Sequence, residues 1–460
     1  MLPQPFISQM QDLLGNNLPA FVAAMQKPAP VSVRPNPFKS PSTGTDFFSD
    51  GDPVPWCPTA CYLPARPVFT LDPLFHAGAY YVQEASSMFL HEALRQTVDF
   101  SRPLNVLDLC AAPGGKSTLL ASLLSPDSLL VANEVVRQRT AVLRENLEKW
   151  GTPNVAVTSA EPSDFAALRG WFDLVVADAP CSGEGLFRKD TDAVSEWSLT
   201  QVGVCATRQR DILADAVSAL KPGGILAYST CTYNRTENED NAAWLIAEYK
   251  LEPLRLSVPA TWGIEETDGG YRFFPHRLRG EGFFITLFRK PEAPNREPSV
   301  PQHFRNIQPL AKNQARNVRA WLGETPEMHF FQTPNGDVLA LPSALETAYR
   351  TLDAVLKNKW FGTRFGQFKG SDFVPDHALA LSNAASSALP AVELPRNLAL
   401  LFLKKDNFEL PGGAPSKGWV LARHQGLNLG WMKILPNRWN NYLPPERRIR
   451  MDIPYTSALH

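Results

Sequence analysis

The sequence predicts an α/β protein whose core is a doubly wound parallel sheet. Between residues 104 and 288, short apolar runs alternate with stretches of helical periodicity, which is the pattern of such a sheet. A Gly-Gly turn follows the first of these runs directly, where such sheets commonly bind a ligand. With 44% hydrophobic and 20% charged residues, the composition is that of a folded globular protein. The length of 460 residues predicts more than one domain.

The apolar runs of the central region read as buried strands. They are LNVLDLC (104–110), SLLVANE (128–134), NVAVTSA (154–160), FDLVVAD (172–178), GILAYST (224–230) and GFFITLF (282–288). Segments 136–150 and 207–221 between them have helical periodicity, and the second ends in Lys-Pro-Gly-Gly, a helix stop signal. Strands that alternate with helices in this way predict parallel pairing.

The regions on either side of this core are less regular. Proline clusters at 28–41, 54–67 and 290–301 indicate irregular or linking segments. Signals stay weak from 301 to about 395. Beyond that point LALLFLKK, GWVLARHQG and LGWMKILP look like short strands separated by Gly-containing turns, which predicts a small β-rich terminal module.

Composition also narrows the class of protein. No apolar window is long enough for a membrane span, and the N-terminal residues lack the pattern of a signal peptide. Six scattered cysteines are too few for a disulfide framework and favour a reducing cytoplasm, and we expect no metal site. The net charge of −1 hides a basic end: residues 401–450 carry nine Lys and Arg against three Asp and Glu. A polyanion would dock there most favourably.

The segment VLDLCAAPGGKST (106–118) joins a strand to a helix through Gly114 and Gly115. Backbone N–H groups in such a turn can approach a ligand closely, and the helix N-terminus favours anionic groups. A purely structural turn is the simplest alternative. A phosphate-binding P-loop is another, because Gly115-Lys116-Ser117 has the right ending, but its first glycine is replaced by Cys110.

Three acidic residues lie near the ends of the second and third predicted strands. Glu134 ends the second strand, where a carboxylate can accept hydrogen bonds from both ribose hydroxyls of a nucleoside cofactor. Glu161 and Asp164 follow the third strand, where either can accept from an adenine amino group. Solvated surface charge is the alternative for each of the three.

Two cysteine-containing segments follow the next two strands, DAPCSGEG (178–185) and YSTCTYNRTENE (228–239). The carboxyl ends of strands in such a sheet line one crevice, so Cys181 and Cys231 should face the same pocket as the Gly-Gly turn. A lone buried cysteine is usually a small hydrophobic residue. Two at strand ends, flanked by Pro, Ser and Thr, favour a reactive pair.

The ordered set CAAPGGK, a strand-end acid, DAPCSGEG and STCT resembles the NOL1/NOP2/Sun family of RNA cytosine-5 methyltransferases, specifically its bacterial 16S rRNA branch. The similarity is strong over about residues 76–290. Weaker similarities cover HAGAYYVQEASSM (76–88), FPHRLRGEGFF (274–284) and GWVLARHQGLNLGWMK (418–433). The resemblance implies a Rossmann-like methyltransferase sheet with an N-terminal extension and small C-terminal RNA-binding modules of PUA type.

The resemblance also implies a cofactor and its contacts. It places S-adenosylmethionine against a strand-to-helix turn, with Glu134 on the ribose and an acid at position 161 near the adenine. The turn consists of Cys110, Ala111, Ala112, Pro113, Gly114, Gly115 and Lys116. The family usually has aspartate where this chain has Glu161, which leaves Asp164 as a substitute for the adenine contact. Asp178 would lie near the methyl donor and the target base.

The chemistry explains why such an enzyme needs two thiols. Cytosine C5 is a poor nucleophile, but addition of a thiolate at C6 makes C5 able to attack a sulfonium methyl group, and covalent catalysis thereby divides one difficult step into easier ones. The resemblance assigns Cys231 as the nucleophile and Cys181 to the later release step. From the residues alone the roles can be exchanged, because DNA cytosine methyltransferases use a Pro-Cys nucleophile and Cys181 follows Pro180.

Both flanking regions have features that suit contact with RNA. Arg34, Asn36 and Lys39 match a pattern that precedes the catalytic domain in the family, and we expect them to contact RNA. The C-terminal region interleaves cationic and aromatic residues, as phosphate contact and base stacking require. These residues are Lys404, Lys405, Lys417, Arg423, Lys433, Arg438, Arg447, Trp419, Trp431, Trp439 and Tyr442. A small β-domain with core tryptophans and solvated basic residues is the alternative.

The sequence therefore predicts a cytoplasmic, monomeric rRNA cytosine-C5 methyltransferase that uses S-adenosylmethionine and no metal. Its predicted regions are an RNA-facing extension (1–75), a Rossmann-like methyltransferase domain (76–290), a linker with an intermediate module (291–395) and a PUA-like RNA-binding module (396–460). Two other functions remain open at this stage, a P-loop-like NTPase and a catalytically silent ribosome-assembly factor. Retention of both cysteine motifs argues against the second.

Overall fold

The computed structural model describes residues 2–41, 50–294, 298–323 and 326–453. Over these residues an N-terminal sheet, a large central sheet, an intermediate sheet and a C-terminal sheet follow one another along the chain. In the same residues, no helix is both long and apolar enough to cross a bilayer. The central sheet positions the candidate site.

In its described residues, the N-terminal region combines three helices with a small four-stranded antiparallel sheet. Its elements are α1 (Gln4–Leu14), α2 (Leu18–Met25), β1 (Val31–Pro35), β2 (Asp52–Val54), β3 (Cys57–Leu63), α3 (Pro73–Ala77) and β4 (Tyr80–Val82). Phe6 of α1 and Phe21 of α2 are fully buried and pack against Tyr233 and Trp197 of the central region. The extension is thus joined to the central region through an aromatic core.

The central region contains the alternating elements that the sequence predicts. They are α4 (Phe89–Thr97), β5 (Asn105–Asp108), α5 (Gly115–Leu123), β6 (Leu129–Asn133), α6 (Arg137–Trp150), β7 (Val155–Thr158), β8 (Phe172–Asp178), α7 (Thr191–Glu196), α8 (Leu199–Ala219), β9 (Leu220–Thr230), α9 (Glu239–Tyr249), β10 (Glu252–Pro253), β11 (Glu265–Thr267), β12 (Gly270–Phe273) and β13 (Phe283–Arg289). Each of the six predicted strands is present, so the predicted α/β fold is confirmed.

The central sheet is mixed rather than purely parallel. Strands β7, β6, β5, β8 and β9 are adjacent and parallel. Strand β13, predicted as part of the parallel set, pairs antiparallel with β9. The connection from β12 to β13 is short and stays at one end of the sheet, so β13 runs antiparallel to its neighbours. A strand parallel to β9 would need a crossover connection to the opposite end of the sheet. The parallel strands β6 and β7 are buried along their whole length, as expected for strands covered by helices on both faces.

The intermediate region is more regular than its sequence indicates. Its elements are β14 (Gln308–Pro309), α10 (Lys312–Arg319), β15 (Met328–Gln332), β16 (Asp337–Pro342), α11 (Glu346–Val355), β17 (Lys359–Phe361), β18 (Thr363–Lys369), β19 (Asp372–Pro375) and α12 (His377–Leu381). Strand β17 does not join the intermediate sheet but pairs antiparallel with β7, at the edge of the central sheet. The intermediate region therefore extends the central sheet.

The C-terminal region is a sheet covered by a helix. Its elements are β20 (Ala391–Glu393), α13 (Arg396–Lys404), β21 (Gly418–His424), β22 (Leu427–Leu435) and β23 (Arg438–Asn441). Two of the predicted strands are β21 and β22, but the prediction of a strand at 398–405 is wrong, because that segment lies in α13. Its buried residues Ala399, Leu400 and Leu403 have the spacing of one helix face.

The expectation that Arg34, Asn36 and Lys39 contact RNA is also wrong, since all three are buried. Arg34 donates a 2.6 Å hydrogen bond to Thr118 Oγ1, and its guanidinium lies 4.6 Å from the Trp150 ring centre. Asn36 donates to the Trp150 carbonyl at 3.0 Å. Lys39 donates to the Ala77 and Lys149 carbonyls, and burial lowers its pKa to about 7. These residues join the extension to helices α5 and α6.

Candidate active site

The carboxyl ends of the parallel strands open into one cavity of about 740 Å³. Its wall contains Cys110, Ala112, Glu134, Glu161, Asp178, Cys181 and Cys231. The residues come from loops that follow β5, β6, β7, β8 and β9, so the topology of the sheet gathers positions up to 121 residues apart. Sequence reasoning expected the two cysteines and the glycine turn to face one pocket, and the cavity confirms that the thiols and the start of the turn do so.

The turn between β5 and α5 is fixed from its outer side by α6. Arg139 Nη2 donates to the Ala112 carbonyl at 2.9 Å, and Asn146 Nδ2 donates to the Pro113 carbonyl at 2.8 Å. Gly114 has φ +116°, a left-handed value that strains other residues. A Cβ atom at this position would make only ordinary contacts with Asn146 and Leu143, so the backbone conformation rather than the available space favours glycine. The backbone of the turn is thus held in place before any ligand binds.

Ala111, Pro113, Gly114 and Gly115 form the rest of the turn, behind the wall formed by Cys110 and Ala112. The Ala111 amide donates to the Asn133 carbonyl, which fixes the turn to the end of β6. Helix α5 begins at Gly115, so its N-terminus points its free N–H groups back toward the turn.

Glu134 is 3% exposed yet forms part of the cavity wall. Its Oε1 accepts from the Val136 amide at 2.9 Å, and its Oε2 lies 3.3 Å from Arg139 Nη1. Each carboxylate oxygen has two lone pairs, so acceptor capacity remains for a ligand. The arrangement holds the carboxylate in one orientation at the end of β6.

Glu161 and Asp164 are separated by the structure. Glu161 forms part of the cavity wall, whereas Asp164 Oδ2 accepts from the Glu161 amide at 3.0 Å in a reciprocal capping arrangement at the start of a 3₁₀ helix. Asp164 therefore caps the helix that carries Glu161 to the cavity. The geometry favours Glu161 over Asp164 as the residue that faces a ligand.

The two thiols are in direct contact. Cys181 Sγ and Cys231 Sγ are 2.9 Å apart, and the Cys231 amide donates to Cys181 Sγ at 3.3 Å. The Cys231 thiol and burial both raise the pKa of Cys181. A raised pKa favours the protonated form of Cys181 in the free protein.

Asp178 lies at the end of β8 between the turn and the thiols. Its Oδ2 forms a 2.7 Å ion pair with Lys116 Nζ, and its Oδ1 accepts from Ser229 Oγ at 2.7 Å. Lys116 Nζ also lies 5.1 Å from the Phe283 ring centre. Lys116 thus joins the glycine turn to the carboxylate, and both contacts restrict the orientation of Asp178.

Two buried glutamates that sequence reasoning missed support the cysteine loops. Glu237 accepts from the Ser182 amide at 3.0 Å and from Gln209 Nε2 at 2.7 Å, which ties the loop after β8 to the loop after β9. Glu184 accepts from the amides of Tyr233 and Asn234 in the opposite direction. Burial raises the pKa of Glu237. The sequence could have indicated this role, because each cysteine-containing segment includes one of the two glutamates, Glu184 in GEG and Glu237 in TENE.

Asp108 is a third acidic residue that the sequence did not single out. It is fully buried at the end of β5, and its Oδ2 accepts from Ser117 Oγ at 2.7 Å. Its Oδ1 has no hydrogen-bond partner among the described residues. Burial raises the pKa of Asp108 to about 7. In the sequence, Asp108 could have been recognised as a candidate site residue from its position in LDLC, two residues before Cys110.

The basic and aromatic residues of the C-terminal region divide into two groups. Trp431 is 1% exposed, so it belongs to the core. Arg447 forms ion pairs with Glu145 and Glu148, and so it anchors the C-terminal region to α6. Three further cations also have partners. Lys404 forms an ion pair with Asp452, and Lys405 donates to the Asn441 and Leu443 carbonyls. Arg423 donates to the side chain of Asn428.

The second group remains available to a ligand. Lys417, Lys433 and Arg438 have no ion pair with any residue in the described ranges. Trp419 and Tyr442 lie beside them with ring centres 4.4 Å apart, and Lys433 Nζ is 5.2 Å from the Trp419 ring centre. Trp439 is half-buried and donates its Nε1–H to the Phe408 carbonyl.

Metal ligation has no candidate within residues 2–41, 50–294, 298–323 and 326–453, where no group of three or more His, Cys, Asp or Glu residues is suitably arranged. Cys205 is buried in α8, as expected of a core residue. Cys57 and Cys61 lie on strand β3 as free thiols.

Comparison with known protein families gives matches along most of the chain. Residues 97–289 match the family described as 16S rRNA methyltransferase RsmB/F. Residues 2–85 match the N-terminal domain of 16S rRNA methyltransferase RsmF, and residues 389–449 match the methyltransferase RsmF PUA domain. The expected PUA-like module at the C-terminus is thereby confirmed.

Several relatives match over nearly their whole length. A protein of Vibrio cholerae serotype O1 (strain M66-2) named ribosomal RNA small subunit methyltransferase F is 34% identical, over 97% of this chain and 97% of its own. The protein of the same name from Shewanella loihica is 31% identical, over 100% of this chain and 97% of its own. The protein of this name from Enterobacter sp. (strain 638) is 32% identical, over 96% of this chain and 95% of its own.

Solved structures resemble the methyltransferase part of the chain. A methyltransferase homolog protein from Pyrococcus horikoshii is 30% identical with a TM-score of 0.53, over 63% of this chain and 95% of its own. The NSun6 structure from the same organism has a TM-score of 0.54 at 20% identity, over 63% and 99%, and supports the fold alone. With the full-length relatives and the three matched regions, the chain belongs to the RsmF family of S-adenosylmethionine-dependent 16S rRNA methyltransferases.

Proposed function

We propose that this protein methylates C5 of a cytosine in 16S rRNA through a covalent bond between Cys231 and cytosine C6. One observation carries the proposal: Cys181 Sγ and Cys231 Sγ lie 2.9 Å apart in the cavity that also contains Glu134 and Asp178. Methylation of an oxygen or nitrogen atom has no need of a thiol, whereas C5 methylation needs a nucleophile at C6. A pair of contacting thiols in this cavity therefore favours the carbon reaction.

The residues on the cavity wall fit S-adenosylmethionine. A cavity of about 740 Å³ is within the size range of cofactor sites. Glu134 is buried, oriented by Arg139 and still able to accept hydrogen bonds, as ribose hydroxyls require. We assign the ribose to Glu134, the adenine edge to Glu161, and the amino acid part to the turn that includes Cys110 and Ala112. When bound, the cofactor supplies an electrophilic methyl group.

In the proposed reaction Cys231 Sγ adds to C6 as a thiolate, and the electron pair of the C5–C6 double bond becomes available at C5. The assignment of Cys231 rather than Cys181 as the nucleophile follows the family resemblance, and the 2.9 Å contact between the two sulfur atoms supports a second thiol that acts on the same adduct. C5 then takes the methyl group. We assign the release step to Cys181: as a thiolate, its own proton having passed to solvent, it accepts the C5 proton, which restores the C5–C6 double bond and expels the Cys231 thiolate.

Asp178 has the role of orienting the base in this proposal. A carboxyl group at the N3 and N4 edge of cytosine would stabilise the adduct. Two contacts support the assignment, the ion pair with Lys116 and the hydrogen bond from Ser229, because both restrict the carboxylate to one orientation. Preorganised groups stabilise developing charge without a cost of reorganisation during the reaction.

The proposed function is tested by mapping modified cytosines. Bisulfite sequencing of 16S rRNA, from cells with and without the protein, should reveal at least one cytosine that resists conversion only when the protein is present. Complementation with the Cys231→Ala variant should not restore that signal. Identical conversion at every cytosine in all strains would contradict the proposal. A methyl group found by mass spectrometry on another atom would do the same.

A further inference from the structure

An exposed tryptophan lies at the edge of the catalytic sheet, away from the thiols. Trp360 on β17 is 42% exposed, although the residue after it, Phe361, is buried. A cavity of about 400 Å³ lies on one side of Trp360 and a smaller one of about 280 Å³ on the other. Arg144 of α6 contributes to both, with its guanidinium 5.3 Å from the Trp360 ring centre. We call Trp360, Arg144, Arg137 and Lys357 the edge surface.

The charge left free on this surface is positive. The acidic residues of the larger cavity already have cationic partners: Glu148 pairs with Arg447 and with Arg144 of the edge surface, Asp337 with Arg364, and Asp353 with Lys359. Besides Arg144, the edge surface contains two basic residues, Arg137 and Lys357. Both are exposed and form no ion pair within the described part of the chain. An anionic ligand would therefore find uncompensated charge on both sides of Trp360.

The edge surface is continuous with the active-site cavity through helix α6. Val136 lies on the wall of the active-site cavity, and the next residue, Arg137, lies on the wall of the smaller edge cavity. Arg137 and Arg144 are seven residues apart, or about 10 Å along the helix. A chain that enters the active-site cavity can thus continue along α6 to Trp360.

We propose that the edge surface binds a single-stranded segment of the RNA substrate next to the target nucleotide, with one base stacked on Trp360 and phosphates on Arg137 and Lys357. This inference rests on the proposed function for the identity of the nucleic acid. Exposed aromatic rings among free cations are the usual recognition elements for single-stranded RNA, because every base has a face that can stack. A buried core role does not explain an exposed ring with cavities on both sides.

Direct RNA-binding measurements on purified full-length protein test the inference. Trp360→Ala should weaken binding of a 16S rRNA fragment roughly 5- to 150-fold, the range expected for loss of one base stack. Trp360→Phe should retain most of the affinity. The matched control is Val142→Ala. Val142 is an exposed apolar residue on α6 outside the edge surface, and its truncation should leave the RNA affinity unchanged.

Salt dependence separates the stacking contact from the phosphate contacts. The double variant Arg137→Ala/Lys357→Ala should reduce the slope of log K against log salt by up to about 1.4, whereas Trp360→Ala should leave the slope unchanged. Adenosylmethionine affinity and thermal unfolding should match the wild type in all variants. Wild-type RNA affinity in Trp360→Ala, or equal loss in Trp360→Ala and Trp360→Phe, would overturn the inference.

Failure of the proposed function would give a different result. If the wild type binds the RNA fragment but methylates no C5 atom, these binding experiments still decide the role of the edge surface. If methylation proceeds and Trp360→Ala binds RNA normally, only the edge-surface inference is wrong. Crosslinking of 4-thiouridine-containing RNA to the peptide that contains Trp360 should succeed if the edge surface binds RNA, whether or not C5 is methylated, and its failure would contradict the inference.

Discussion

At the scale of single residues, the site depends on acidic side chains that the protein holds at strand ends. Asp178 and Asp108 are the last residues of β8 and β5, and Glu134 directly follows β6, so the sheet determines their spacing. Each has a specific partner, respectively Arg139, Lys116 and Ser117. The chain thereby holds Glu134 and Asp178 as oriented carboxylates on the cavity wall, while Asp108 is fully buried.

Glu134→Ala should weaken the binding of adenosylmethionine by about 1–3 kcal/mol, because the ribose hydroxyl donors lose their charged acceptor. Isothermal titration calorimetry measures the change. Asp164→Ala serves as the control, since Asp164 caps a helix and does not line the cavity. Unchanged affinity in Glu134→Ala would remove this residue from the cofactor site.

Asp108 should make the stability of the ligand-free protein depend on pH. Its folded-state pKa of about 7 lies above the ordinary 3.8, so the folded protein binds more protons than the unfolded chain between these values. Stability from this group is therefore fully present below about pH 4 and is lost as the pH rises to about 7, by up to about 4 kcal/mol. Urea denaturation of Asp108→Asn should show a flatter pH dependence than the wild type. Parallel curves for the two proteins would refute the assignment.

At the scale of elements, the sequence predicted best where the pattern is longest. The apolar runs of β5 to β9 lie in a parallel sheet and are buried on both faces, so periodicity and glycine turns sufficed. Residues 398–405 were predicted as a strand because eight residues with few polar positions suit either structure, and the tertiary position of Leu400 and Leu403 decides for α13. Strand β17 could not be predicted, since its pairing partner lies about 200 residues earlier.

The same limit applies to the candidate site. Motifs identified the thiols and the turn, because each lies at the end of a predicted strand. They could not reveal that Arg34 is buried against Trp150 rather than exposed to RNA, because burial depends on how the extension packs. Nor could they show that Glu237 joins two loops that are 55 residues apart in the chain.

The C-terminal region should contribute phosphate contacts through its free cations. Simultaneous Lys417→Ala, Lys433→Ala and Arg438→Ala substitutions should reduce the slope of log K against log salt for RNA by up to about 2. Filter binding at several salt concentrations measures this, and adenosylmethionine binding should not change. Point substitutions are preferable to truncation, because Trp431 packs against Trp321 of the intermediate region and its removal would expose a core. An unaltered slope would mean that these cations are only solvated surface residues.

At the scale of the whole molecule, the catalytic sheet is enclosed by packed regions on several sides. The N-terminal extension contributes Phe6 and Phe21 to the core beneath the cysteine loops, and Arg447 holds the C-terminal region against α6. Helix α6 thus contacts the turn, the extension and the C-terminal region. In the proposed reaction, α6 therefore links the C-terminal region to the turn of the active-site cavity.

The order of events at the two thiols tests the central claim most directly. A nucleophile is required to form the adduct, whereas a release residue is required only after methyl transfer, so each substitution should stop the reaction at a different stage. Cys181→Ala, incubated with rRNA and adenosylmethionine, should leave protein and RNA joined through denaturing electrophoresis. Cys231→Ala should abolish methylation and trap nothing, and Cys205→Ala, outside the contacting pair, should behave as wild type. Trapping by Cys231→Ala would reverse the two roles, and continued methylation without trapping in both variants would contradict the covalent mechanism.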